Sequence, residues 1–220
     1  MWRPSSLSGN PAGSQLGNRV GNLAGIILCI CLLSACQEPT MPSPFHAQDV
    51  SWQHPHADFQ LADFNGKARR LSDFTEKNNG DGKVVVLFFG YTHCPDVCPT
   101  TLADLAQLMR LLGSDADRVQ VLFITLDPER DTPQLLAKFV PSFHPTFLGL
   151  HGDAQATAQA AQSFGVSYAQ QPGQRGSYTL DHTDAIFLLG LRGKPLLRAR
   201  YGTSAELLAQ DVRLLLALSR

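Results

Sequence analysis

The chain has 220 residues, of which 44% are hydrophobic and 17% are charged, and its formal net charge at pH 7 is −1. This composition is too apolar for a disordered chain, and the nearly neutral charge argues against the basic surface that nucleic-acid binding requires. We therefore expect a globular protein of one or two domains that does not bind nucleic acid.

The first 35 residues have the features of a secretory signal peptide. Arginines without acids precede a thirteen-residue apolar run over residues 23–35, which is shorter than the roughly 20 residues of a spanning helix. The run ends in Leu-Ser-Ala-Cys, which resembles a bacterial lipobox and predicts lipidation of Cys36. An ordinary signal peptide and a short uncleaved anchor are the alternatives. In all three cases we expect the rest of the chain at the periplasmic or extracytoplasmic face. If Cys36 is lipidated, the protein is a membrane-anchored lipoprotein.

Residues 36–53 are predicted to form a flexible tether from lipidated Cys36. The stretch contains three prolines and lacks a periodic hydrophobic pattern, which is typical of linkers. Its seventeen residues after Cys36 extend at most roughly 55 Å. A body attached in this way would reach partners embedded in the same membrane.

Residues 54–220 are predicted to form one α/β domain. Two β-branched runs, residues 83–90 and 119–126, predict buried neighbouring strands. An apolar stripe over residues 99–112 predicts the helix that connects them. Further helices are predicted over 132–143, 153–164 and 203–218, and hairpins over 59–71 and 185–201. This order resembles a thioredoxin-like fold, with a central mixed sheet flanked by helices and an N-terminal β-hairpin extension.

The body contains one cysteine pair, in the loop between the first strand and its helix. Residues 90–99 read GYTHCPDVCP, so three residues separate Cys94 from Cys98, and Pro99 is placed to begin the helix. A helix N-terminus favours thiolate over thiol, and the pattern therefore predicts low-pKa sulfurs. Such sulfurs suit either thiol exchange or a soft metal ion. A structural disulfide or two unreactive core thiols are the alternative.

Two further motifs follow in the chain: ITLDPERDTP at residues 124–133 and LDHTDAIFLL at residues 180–189. Together with GYTHCPDVCP they resemble, in content and order, the Sco/SenC family of copper proteins for cytochrome c oxidase assembly. The similarity extends from about residue 58 to the C-terminus. It implies a copper site formed by Cys94, Cys98 and His182.

The chemistry of this ligand set agrees with the resemblance, because Cu(I) is soft and prefers thiolates, and one imidazole completes a three-coordinate site. In a thioredoxin-like sheet, the loop that carries His182 packs beside the cysteine loop. Two alternatives are open. His182 can be a hydrogen-bonded core histidine, and His93 can compete as a ligand, although its side chain should point away from that of Cys94.

Two aspartates are predicted to support the site. Asp127 follows the second central strand at the sheet edge that holds the cysteines. Helix capping and a surface ion pair account for most of its expected role, and the resemblance adds tuning of the site or docking of a partner. Asp181 is expected to orient His182 by accepting a hydrogen bond.

The sequence supports two principal functions. The first is a membrane-tethered metallochaperone that binds Cu(I) or Cu(II) through Cys94, Cys98 and His182 and delivers copper to a cytochrome c oxidase. Its expected partners are the copper-accepting oxidase subunit, other periplasmic copper chaperones and thiol reductants. The second is a thiol–disulfide oxidoreductase in which Cys94 and Cys98 are catalytic and keep acceptor cysteines reduced. The spacing disfavours a peroxiredoxin-type peroxidase, and a non-catalytic binding module is a further alternative.

Overall fold

The computed structural model describes residues 43–75, 82–193 and 195–218. The predicted signal peptide, Cys36 and residues 37–42 of the predicted tether lie outside these ranges. Within them, each helix is too short or too polar to qualify as a membrane-crossing segment.

Ten strands lie in the described part of the chain. They are β1 (Gln48–Asp49), β2 (Gln60–Asp63), β3 (Ala68–Arg70), β4 (Val84–Gly90), β5 (Val119–Thr125), β6 (Leu148–His151), β7 (Tyr168–Pro172), β8 (Tyr178–His182), β9 (Ile186–Leu189) and β10 (Pro195–Ala199). Eight form a mixed sheet in the order β1-β10-β9-β4-β5-β6-β2-β3, and β7 and β8 form a separate hairpin. The predicted central mixed sheet and the β2–β3 hairpin are confirmed.

Four α-helices accompany the sheet in the described ranges: α1 (Val97–Leu112), α2 (Pro133–Phe139), α3 (Ala154–Ser163) and α4 (Ala205–Ala217). Side-chain caps begin three of them, since Thr132, Asp153 and Ser204 each accept a backbone N–H from the first turn. The predicted helix over 132–143 ends at Phe139, and Pro141, which was expected to end or kink it, lies in the 3-10 segment Val140–Ser142 that follows.

The centre of the sheet explains the two apolar runs. All seven residues of β4 are buried, because β4 pairs in parallel with β5 and antiparallel with β9. The register places the carboxyl end of β4 beside the amino end of β9, with Phe88 opposite Ile186. The loop before β9 is therefore brought next to the loop after β4, as the sequence predicts.

The residues just before the domain differ from a free tether. β1 pairs with β10, and Ala47 and Val50 are buried. The backbone N–H groups of His46 and Ala47 donate to the buried carboxylate of Asp211 on α4, at 2.9 and 2.8 Å. Residues 46–50 are thus part of the body, and a flexible tether would have to end before His46.

Candidate metal centre

The two cysteines lie at the carboxyl end of β4 and are not equivalent. Cys94 is partly exposed in the loop, whereas Cys98 is buried in the first turn of α1. Both are free thiols, and the backbone N–H of Cys98 lies 3.4 Å from Cys94 Sγ. Because α1 begins at Val97, Cys98 is already inside the helix. The predicted start at Pro99 would have placed Cys98 beside the N-cap instead.

Gly90, the last residue of β4, makes room for the buried sulfur. A Cβ at this position would lie 2.9 Å from Cys98 Sγ and 2.9 Å from Phe123 Cε2. Such separations are shorter than ordinary van der Waals contacts. Cys98 therefore needs a residue without a side chain at the end of β4.

His182, the last residue of β8, reaches the buried cysteine. Its Nε2 lies 3.6 Å from Cys98 Sγ, although the two residues are 84 positions apart in sequence. Its Nδ1 donates to the Thr183 carbonyl oxygen at 2.9 Å, and a carbonyl oxygen accepts only. In the neutral ring, the Nε2 lone pair is then the group that faces Cys98.

Aromatic rings hold the imidazole in place. Phe88 and Tyr91 contact it edge-on, with ring centroids 6.3 and 6.0 Å away. These contacts come from β4 and the cysteine loop, so the orientation of His182 depends on the same segment that presents the sulfurs.

Asp181 does not have the role that the sequence predicts for it. Neighbouring residues of a strand point to opposite faces, and Asp181 is exposed where His182 is half-buried. The backbone carbonyl of Thr183 accepts the hydrogen bond that was expected to go to Asp181.

The low pKa expected for both sulfurs is wrong for Cys98. Burial raises the pKa of the Cys98 thiol, and the neighbouring Cys94 adds to the increase. Loss of hydration therefore outweighs the backbone hydrogen bond at Tyr91, which lowers the pKa of this sulfur. A helix-start pattern in the sequence indicates the favourable helix dipole but does not indicate how deeply the sulfur is buried.

Asp127 is held by Arg130 and Tyr178. Arg130 Nε donates to one carboxylate oxygen at 2.5 Å, and the Tyr178 phenol donates to the other at 2.7 Å. The predicted ion pair is thus present, but the Asp127 carboxylate is buried, not on the surface. Both side-chain partners are groups other than the proposed copper ligands, so these contacts do not show direct tuning by Asp127.

Asp131, which was not among the predicted site residues, is hydrogen-bonded to the cysteine loop. Its carboxylate accepts the backbone N–H of Thr92 at 2.9 Å, the Thr92 hydroxyl at 2.5 Å and the Thr125 hydroxyl at 2.6 Å. His93 turns toward this carboxylate, with Nδ1 3.5 Å from Oδ1. The signal available in the sequence was a second aspartate in the DPERD motif, but nothing in the sequence pairs it with Thr92.

His93, Asp127 and Asp131 also form a compact group, with ligand atoms within 4.8 Å of one another. Both carboxylates already bind donors of the protein, from Arg130, Tyr178 and two threonines. We therefore interpret this group as a hydrogen-bonding network and not as a metal site.

Comparison with known proteins places these features in context. A family model described as SCO1/SenC matches residues 49–217. The mitochondrial SCO2 homolog of Bos taurus is 43% identical over 162 residues, and the match covers 71% of this chain and 58% of the relative. The chain thus spans less than two thirds of the length of this curated relative.

Two solved structures with copper bound are similar to this chain. ScoI of Bradyrhizobium japonicum is 39% identical with a TM-score of 0.64, covering 71% of this chain and 96% of that one. ScoI of Arabidopsis thaliana is 28% identical with a TM-score of 0.67, covering 73% and 97%. The predicted thioredoxin-like α/β fold is confirmed.

Proposed function

Since this chain belongs to the SCO1/SenC family, we propose that it is a copper metallochaperone for cytochrome c oxidase assembly. Copper binds through Cys94, Cys98 and His182 and is delivered to the copper centre of the oxidase. The copper-bound relatives support the choice of metal.

The observation that carries this proposal is the 3.6 Å separation between His182 Nε2 and Cys98 Sγ. An ion bound at about 2.3 Å from a sulfur and about 2.0 Å from an imidazole nitrogen, with a trigonal angle, separates the two atoms by about 3.7 Å. One shared ion therefore fits between these two atoms, whereas Cys94 Sγ has to move closer to complete the set, because it does not lie within 4.8 Å of both. Two thiolates and one imidazole are the donors that Cu(I) prefers.

Transfer to the oxidase subunit proceeds by ligand exchange. Cys94 is the partly exposed ligand, so an acceptor thiolate bonds to copper there before the Cys94–copper bond breaks. Copper keeps its oxidation state, and the released Cys94 thiolate takes up a proton from solvent. Bare copper is never released, which suits a soft ion held by thiolates.

The test is anaerobic Cu(I) titration of the reduced protein, followed by X-ray absorption to count sulfur and nitrogen neighbours. We expect one copper per chain, bound by two sulfurs and one nitrogen. His182→Ala removes the nitrogen and weakens binding substantially, whereas the exposed His56→Ala serves as the matched control and leaves binding unchanged. Wild-type affinity in His182→Ala would reject the assignment.

We also propose that the protein is a lipoprotein, anchored through Cys36 at the extracytoplasmic face of a membrane. The lipobox-like Leu-Ser-Ala-Cys sequence supports this. Metabolic labelling with a fatty acid tests it: Cys36→Ser should lose both the label and membrane association. From such an anchor the body meets the copper-accepting oxidase subunit and, in the same compartment, other copper chaperones and thiol reductants.

A thiol–disulfide oxidoreductase is the second candidate, favoured by two free thiols of which one is partly exposed. Cys94 thiolate attacks an acceptor disulfide, and Cys98 then displaces the acceptor, leaving a Cys94–Cys98 disulfide and a reduced acceptor dithiol. This activity needs both cysteines but not His182. Reduction of a disulfide-containing acceptor peptide at the wild-type rate by His182→Ala, with loss in Cys94→Ser, would favour this function.

A further inference from the structure

We propose that residues 127–131, the DPERD segment, are a positioning brace that sets the cysteine loop and the His182 strand at the correct distance from each other. The inference rests on the proposed copper function. The segment itself provides none of the three proposed ligands. It acts through Thr92 on one side and Tyr178 on the other.

The cysteine side of the brace is Asp131. This carboxylate is almost fully buried and joins the Thr92 backbone and hydroxyl to the Thr125 hydroxyl at the end of β5. Thr92 lies two residues before Cys94. Asp131 therefore holds the start of the cysteine loop against β5.

The histidine side of the brace is the pair Asp127 and Arg130. Arg130 Nη1 donates to the Tyr178 carbonyl at 2.9 Å, and its guanidinium carbon lies 3.6 Å from the centre of the Tyr178 ring. Asp127 binds the phenol of the same tyrosine. Backbone, ring and hydroxyl of the first residue of β8 are thus all held by the brace, and His182 is the last residue of that strand.

The hairpin needs such support because β7 and β8 pair with each other and not with the main sheet. The segment between the two sides is a closed turn, since the backbone N–H groups of Arg130 and Asp131 both donate to the Asp127 carbonyl. A five-residue turn therefore connects the segment of Thr92 with the segment of Tyr178, which are far apart along the chain.

The test is Arg130→Met in the full-length reduced protein. We expect Cu(I) affinity, measured by competition with a chromophoric chelator, to fall about tenfold or more, as for other residues that orient metal ligands. X-ray absorption should show the nitrogen neighbour reduced and both sulfurs retained. Tyr178→Phe, which keeps the ring but loses the phenol, should show the same change to a smaller degree.

Arg69→Met is the matched control. Arg69 pairs with Asp63 at 2.8 Å, with side-chain exposures of 21% and 1%, against 24% and 2% for Arg130 and Asp127. The control pair joins β2 and β3 at one edge of the sheet, whereas β9 and β4 lie in its centre. We expect wild-type copper affinity in Arg69→Met. Equal losses in the two arginine variants would show general destabilisation and overturn the brace.

A metal-free measurement separates this proposal from the proposed function. In the apo protein, the NMR signals of the His182 ring should move in Arg130→Met and Tyr178→Phe but not in Arg69→Met. Unmoved His182 signals in the folded brace variants would overturn the brace, whether or not the protein binds copper. A wild type that binds no copper would instead reject the copper function.

Discussion

The two sulfurs of the candidate centre differ in accessibility, and this difference gives a prediction for the metal-free protein. Iodoacetamide should alkylate Cys94 first, because Cys98 is fully buried and burial raises its pKa. Peptide mass mapping after timed quenching measures the order. In urea both cysteines should react at similar rates, and prior labelling of Cys98 in the folded protein would contradict the prediction.

Asp63 gives a prediction for acid stability. Burial alone would raise its pKa, but the Arg69 guanidinium and two backbone N–H groups outweigh burial, and the pKa lies below its ordinary 3.8. The folded state then binds fewer protons than the unfolded state, so this carboxylate stabilises the protein above about pH 4. The contribution disappears as pH falls through the folded-state pKa.

Asp63→Asn should therefore lower the free energy of unfolding at pH 6 more than at pH 3, as measured by urea denaturation at both values. The exposed Asp117→Asn is the control, with little change at either pH. An equal effect of Asp63→Asn at pH 6 and pH 3 would disagree with the lowered pKa.

At the scale of elements, the close approach of β4 to α1 makes Gly90 sensitive. Gly90→Ala places a methyl group 2.9 Å from Cys98 Sγ, which should displace the sulfur and destabilise the fold by about 1–3 kcal/mol. We expect weaker copper binding as well. Gly149→Ala in β6, where the nearest atoms belong to side chains at 3.1–3.4 Å, should affect stability but not copper affinity, as thermal unfolding and Cu(I) titration would show.

The predictability of the elements depended on burial. β4 and β5 were predicted nearly to the residue, because strands buried on both faces are continuous apolar runs. β7 and β8 were missed, since both are mostly exposed and β7 has the sequence YAQQP, which shows neither alternation nor an apolar run. The strand that ends at His182 was therefore not predicted, although the position of His182 near the cysteine loop was.

Side-chain partners were less predictable than elements. Asp127 and Asp131 stand in one short motif, but their partners Tyr178 and Thr92 come from distant parts of the chain. Nothing in the local pattern indicates such pairs, and the exposure of Asp181 also follows only from the strand that contains it. The ligand roles of the cysteines and His182 stay predictions until copper is titrated.

At the scale of the whole molecule, Asp211 attaches the N-terminal segment to the last helix. Asp211→Ala leaves the N–H groups of His46 and Ala47 without their acceptor, and we expect a loss of about 1–3 kcal/mol. Residues 43–50 should detach and become sensitive to chymotrypsin at Phe45. Asp153→Ala, which removes the cap of α3, is a control of about 1 kcal/mol that should not create this cleavage site; mass spectrometry identifies the fragments.

Because residues 46–50 are packed on the domain, the distance between a lipid anchor and the domain would be shorter than the full predicted tether allows. With Cys36 in the bilayer, nine residues lie between the anchor and His46, which gives a tether of at most roughly 30 Å in place of 55 Å. The tether joins the domain beside β1, at the edge of the sheet next to β10 and β9. A shorter tether raises the local concentration of the domain near the bilayer surface. Encounters would then favour acceptor domains whose metal centres lie close to the lipid headgroups.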